Sequence, residues 1–283
     1  MLAILGGLGA AAAWAVSILC SSRSSRMIEP MAVVAWIMLV GLVITGPLAA
    51  ATGVPSNLHG APLAWLTLAA VGNVAGLIVN YAALRIGQVS LVAPIVSTEG
   101  AIAALISVFA GQSLGVAVGV TLLVIAAGVG LASVPSPDVA VHEAARHPAA
   151  AALAMLAALS FGASLYATGR AGAELPASWV VLSARLVGVV ALALPLALAG
   201  RLRLTSRAVP LVIASGVCEV AGFYSYTLGS RHGLAIAAVL SSQFAVIALA
   251  VSYVLFGERL SRVQLAGVGC VIVGVAALSA LRA

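Results

Sequence analysis

The recurrence of long apolar runs limits this chain more than any other feature. There are ten, at roughly 2–19, 31–51, 62–84, 89–110, 114–133, 150–168, 177–199, 208–229, 233–256 and 262–281. A helix needs about 20 such residues to cross about 30 Å of hydrocarbon. In lipid the backbone must satisfy its own hydrogen bonds, so these runs are predicted to be helices. The alternating pattern of a barrel strand is absent. Composition points the same way: 63% of residues are hydrophobic and 7% charged, where a soluble chain keeps about a quarter charged. The expected fold is an all-α membrane protein with ten transmembrane helices, and the lipid bilayer is its first partner.

Helix breakers agree with these cuts. Pro30 and Pro62 stand at or near span starts, and Pro210 in a first turn, where a missing N–H costs little. Gly87, Gly111, Gly233 and Gly257 mark turns, and Trp65 and Trp179 sit near span starts, where an interfacial aromatic belt is expected. The first run, MLAILGGLGAAAAWAVSIL, has the look of a signal peptide but lacks a positive leading region. It also has a counterpart later in the chain, so it is read as a helix. Residues 134–149, VPSPDVAVHEAARHPA, are the least apolar linker and divide five helices (1–133) from five (150–283). The HEAARH within it is no zinc helix, because its two histidines are five apart and not four.

The two halves are alike. At an offset of 146, residues 71–133 align with 217–279 without a gap, and 13 of the 63 positions are identical. Gly76/Gly222, Arg85/Arg231, Gly87/Gly233, Gly111/Gly257 and Gly128/Gly274 coincide. Earlier, an offset of 147 pairs Ser17 with Ser164, Arg23 with Arg170 and the LVG of 39–41 with that of 186–188. An odd number of helices per half turns the second half upside down, so the expected layout is two inverted five-helix repeats with a site near the midplane.

All 13 basic residues are arginine. They sit in short turns with no basic stripe, which excludes a nucleic-acid partner and leaves them as topology signals. The face bearing the odd-numbered turns carries nine of them, and the face with both termini carries three. The tendency of positive residues to stay cytoplasmic then places both termini outside. Cys20, Cys218 and Cys270 form no CxxC pair and read as packing residues. Gly111, Gly115 and Gly119 recur every four residues, a spacing suited to close helix packing.

The stretch LFGERLSRVQLAGVGCVIVGVAAL, 255–278, resembles the closing helix pair of EamA-type domains in the drug/metabolite transporter superfamily. GER at 257–259 carries most of the likeness, and the R-x-G turns at 85–87 and 231–233 agree with it; the first half departs, with GQS at 111–113. The resemblance implies a multi-pass protein of the cell membrane that transports small metabolites, usually outward. It implies a central cavity lined by helices 1, 3, 4, 6, 8 and 9, with helices 5 and 10 peripheral. It also implies both termini in the cytoplasm, against the arginine count.

Three ionisable residues lie deep in spans: Glu99, Arg185 and Glu219. A charge at mid-bilayer costs about 2.5–3.5 kcal/mol on insertion scales, so each is expected to face protein, water or one another. Glu99 follows Ser97 and Thr98, and Pro94 is placed to kink the segment. Glu99 is read as a binder of a cationic group or a proton carrier; the structural alternative is a neutral side chain bonded to Ser or Thr. Glu219 occupies the repeat position of Asn73, and Arg185 is either its ion-pair partner or an anion binder. Trp14, Ser17, Asn73, Asn80, Tyr81, Ser164, Tyr224 and Gln243 complete the candidate lining.

With two acids and one base, the set suits a secondary exporter of a small polar or amphipathic metabolite such as an amino acid. The alternative is an exporter of lipophilic cations in exchange for protons, although helix 1 has Trp14 and no acid. A membrane enzyme is disfavoured, because GxSxG, HExxH and a buried Ser–His pair are all missing. No cofactor is expected.

Overall fold

The computed structural model describes residues 1–86, 92, 95–133, 148–247, 251 and 261–282. The linker's HEAARH, Pro94, Gly87 and the GER stretch lie outside the described residues. Among the described residues there is no strand. The helices are α1 (Leu2–Ser24), α2 (Pro30–Thr52), α3 (Gly60–Ile86), α4 (Glu99–Phe109), α5 (Val116–Ser133), α6 (Pro148–Glu174), α7 (Ala177–Leu198), α8 (Val209–Ser230), α9 (Leu234–Ser241) and α10 (Arg262–Arg282). Seven of them are long and apolar enough to cross a membrane; α4, α5 and α9 are shorter. This is a multi-pass membrane protein.

Three expected spans differ in detail. The run 89–110 is not one continuous helix, because a turn at Ser97–Thr98 precedes α4. There the Thr98 amide bonds the Ile95 carbonyl at 3.2 Å, and Thr98 Oγ1 donates to the same oxygen at 2.7 Å. Short polar side chains that bond nearby carbonyls compete with the helical ladder. The run 233–256 breaks in the same way after Ser241: Ser242 Oγ and Gln243 Nε2 both donate to the Val239 carbonyl, at 2.8 and 2.9 Å. In α7 a π turn spans Val189–Ala193, just ahead of Pro195, which has no N–H to continue the ladder.

The helices pack in a regular set of neighbours: α1 lies along α8, α3 along α6, α2 against α7, α4 against α9 and α5 against α10. Glycine permits the closest crossings. A Cβ on Gly6 would stand 2.4 Å from the Gly229 Cα, and one on Gly76 would stand 2.6 Å from the Phe161 ring. The close packing expected at Gly111, Gly115 and Gly119 is not made by the described residues, none of which comes within 4 Å of a Cβ placed on any of the three. Helix α5 meets α10 instead through Gly128, where a Cβ would lie 2.9 Å from the Gly267 carbonyl. The outer faces of α5 and α10 present Val120, Leu123, Ile272 and Val273 outward. So extended an apolar surface marks a lipid interface.

Candidate functional site

A cavity of about 840 Å³ runs into the bundle from one face. Its mouth is ringed by Ser22 and Ser25 at the end of α1, Arg85 at the end of α3 and Gln264 at the start of α10. This is the face opposite both termini, where the odd-numbered turns lie.

The floor is aromatic. The Trp14 ring meets Phe223 edge-on with centroids 5.1 Å apart, and Phe244 edge-on at 6.4 Å. Tyr226 backs it at 6.2 Å, with its hydroxyl donating to the Leu165 carbonyl at 2.8 Å. Trp14 can lie there because Gly222 has no side chain: a Cβ would fall 2.4 Å from Trp14 Nε1.

The acids stand on two walls. Glu99 opens α4 and is 8% exposed. It sits in the first turn, where the helix dipole favours negative charge. Glu219 comes from α8, with 21% of its side chain exposed. Ser17 Oγ donates to Glu219 Oε2 at 3.3 Å and shares a 2.8 Å hydrogen bond with Ser215 Oγ. Arg185 Nη1 is 4.0 Å from Glu219 Oε1, and its guanidinium lies over the Phe223 ring at 5.0 Å from the centroid. Nη1 also reaches the Met38 sulfur at 3.3 Å, while Nε and Nη2 have no acceptor among the described residues. Gly41 makes room for this arginine, because a Cβ there would lie 2.7 Å from its Cδ.

Of the residues singled out in the sequence, Trp14, Ser17, Asn73, Asn80, Tyr81, Ser97, Glu99, Ser164 and Glu219 line the cavity. Asn73 presents a buried Oδ1 with no partner among the described residues, and Ser164 Oγ is tied to the Ala69 carbonyl at 2.7 Å. Arg185, Thr98, Tyr224 and Gln243 do not line it. Arg185 is fully buried behind Phe223 and Met38, Thr98 bonds its own turn, Gln243 bonds Val239, and Tyr224 packs half-buried against the core. The sequence reading missed Phe161, Phe223, Phe244 and the α2 residues Val34, Ile37 and Met38. An apolar residue in an apolar helix carries no signal. Phe161 and Met38 had one, because an offset of 147 pairs them with Trp14 and Arg185.

The profile of the EamA-like transporter family matches residues 1–134 and again 148–280. No curated protein matches the chain. A solved chain described as "Crystal structure of protein" superposes with a TM-score of 0.80, covering 99% of this chain and 96% of that one at 19% identity. At that identity the likeness is one of fold.

Proposed function

This chain belongs to the EamA-like transporter family, and from that membership we propose that it is a secondary exporter of a small amphipathic metabolite bearing an amino group, such as an amino acid. The observation that carries the reading is the cavity: open at one face, sealed at the other by Trp14, Phe223 and Phe244, with Glu99 and Glu219 at its walls. A site reachable from one side at a time is what alternating access requires. Glu219 has Arg185 as counter-charge. Glu99 has no basic neighbour within reach of a bond among the described residues, so a substrate ammonium group, or a proton, is assigned to it. The aromatic floor takes the apolar part of the substrate.

In this reading ten helices cross the membrane as two inverted repeats, 1–133 and 150–283, joined by 134–149. Contacts that swap between the halves support it. Trp14 packs on Gly222, and its counterpart Phe161 packs on Gly76; Arg185 packs on Gly41, and its counterpart Met38 packs on Gly188. Ser17 bonds Ser215, while its counterpart Ser164 bonds Ala69. The open face bears the larger arginine count, so it is assigned to the cytoplasm, which suits loading for export.

A second reading, exchange of lipophilic cations for protons, draws on one observation. Among the described lining residues the one basic side chain is Arg85, at the mouth, so none of those at depth attracts a carboxylate. Both readings are tested by uptake and counterflow in proteoliposomes with a panel of amino acids and organic cations, at two pH values. Flux of an amino acid that Glu99→Gln abolishes together with its pH dependence supports the proposal. Flux of organic cations alone favours the second reading. Normal flux in Glu99→Gln removes Glu99 from the site.

A further inference from the structure

We propose that Arg231 and Arg85 are paired latches, each closing one face of the protein by forking onto the carbonyls at the end of the helix opposite. The inference rests on the alternating-access reading above and adds the parts that hold each state.

Arg231 follows α8 on the face that bears the termini. Its Nε donates to the Gly172 carbonyl at 2.6 Å and its Nη2 to the Leu175 carbonyl at 2.9 Å. These oxygens lie at the C-terminus of α6. The last carbonyls of a helix have no partner within it, and a cation is favoured there by the dipole. A guanidinium, with several donors in a fixed plane, can satisfy two at once. This is the face on which the cavity is sealed. Asn57 Nδ2 adds a bond to the Glu174 carbonyl at 3.1 Å, so the end of α6 is held from two sides.

The repeat maps this lock onto the other face. An offset of 146 takes Arg231 to Arg85, and an offset of 147 takes Gly172 and Leu175 to Ser25 and Ile28. There the same parts are present but disengaged. Arg85 stands at the end of α3 and Ser25 just past the end of α1, and both line the cavity mouth. Among the described residues Arg85 makes no hydrogen bond, and the carbonyls of Ser25 and Ile28 accept none. One lock is closed and its counterpart is open, on the faces where the cavity is closed and open. Closing the mouth would bring the Arg85 fork onto Ser25 and Ile28 as Arg231 leaves Gly172 and Leu175.

The test uses spin labels at two repeat-equivalent pairs of exposed positions, Met27 with Ile86 and Glu174 with His232. The protein has its three cysteines replaced and is held in lipid nanodiscs. Pulsed electron paramagnetic resonance reads the distance across each face. Arg231→Ala is expected to raise the population with a long Glu174–His232 and a short Met27–Ile86 distance, by about a hundredfold for two charge-assisted bonds lost. Adding Arg85→Ala to that variant is expected to reverse the shift. A fold merely weakened by substitution would not show opposite signs. Arg231→Lys keeps the charge and loses the fork, so it must shift the same way if Arg231→Ala proves unstable. Shifts of one sign in both variants, or none, overturn the latches. Opposite shifts with no flux of any panel compound leave the latches standing and overturn the transport reading. Normal flux without the shifts does the reverse.

Discussion

The Arg185–Glu219 contact makes a quantitative prediction. The two charges are 4.0 Å apart, with the arginine fully buried and the glutamate side chain 21% exposed to the cavity. At an effective dielectric of about 20 their attraction is about 4 kcal/mol. Desolvation of two ions costs several kcal/mol each, so the net worth of the pair is near zero, while loss of one partner alone typically costs about 3–5 kcal/mol. The two losses should differ here. Arg185→Met leaves Glu219 beside the cavity, where water can reach it, so the cost falls at about 3 kcal/mol, including a cation–π contribution of about 1 kcal/mol from Phe223. Glu219→Gln leaves a guanidinium that no water reaches, with Nε and Nη2 already lacking acceptors among the described residues, so it should cost about 4–5 kcal/mol. The double variant should cost well under the sum, with a coupling of about 2–4 kcal/mol. The assay is unfolding of the purified protein in mixed micelles by added dodecyl sulfate, followed by circular dichroism. A coupling below about 0.5 kcal/mol, within the additivity of independent sites, would refute the pairing. A larger loss from Arg185→Met than from Glu219→Gln would refute the argument from exposure.

Three further outcomes are expected. Trp14→Ala removes the centre of the cavity floor and should let substrate or protons leak through, measured as collapse of an imposed gradient in proteoliposomes; a tight variant would show that Phe223 and Phe244 seal the passage alone. Gly229→Leu drives a side chain into Gly6, whose backbone already lies at 2.8 Å from a Cβ placed there. It should abolish the monodisperse peak in size exclusion, and a well-behaved protein would mean the α1–α8 crossing is looser than described. A thiol at Ser22→Cys, in the mouth, should react with an impermeant maleimide only from the side opposite an N-terminal tag; labelling from the tagged side would reverse the assigned mouth.

The helices were legible because hydrocarbon leaves a chain few options, and a mostly apolar run of about 20 residues admits little else. The breaks were written less plainly. STE at 97–99 and SSQ at 241–243 hold the polar groups that unravel α4 and α9, yet single Ser and Thr residues elsewhere bond their own helices without breaking them, as Ser160 and Thr121 do. The acids of the site were legible because a charge in an apolar run has to be explained. Its shape was not. Whether Arg185 looks into the cavity or away from it depends on the rotation of α7 against α2, and that is set by Gly41 and Gly188 meeting Arg185 and Met38. Tyr224 and Tyr226 were equivalent on paper; the helical turn sends Tyr226 into the core and leaves Tyr224 half-buried at its edge, and Phe223 between them in space takes the lining role.

The glycine crossings described above also bear on the motion that the proposed alternating access would require of the two halves. Where α1 meets α8 at Gly6 and Gly229, and α3 meets α6 at Gly72 and Gly76, one of the two surfaces is bare backbone. Interlocked side chains resist sliding because each must climb out of its hole before it finds the next. A bare backbone has no teeth. Its dispersion contacts are individually about 0.1–0.2 kcal/mol and are exchanged a few at a time as one helix shifts along the other. Such a crossing behaves as a bearing, holding the halves at fixed separation while offering little resistance along its length. Added bulk at these glycines would therefore do more than strain the fold: in the proposed cycle it would put a cog into a plain journal.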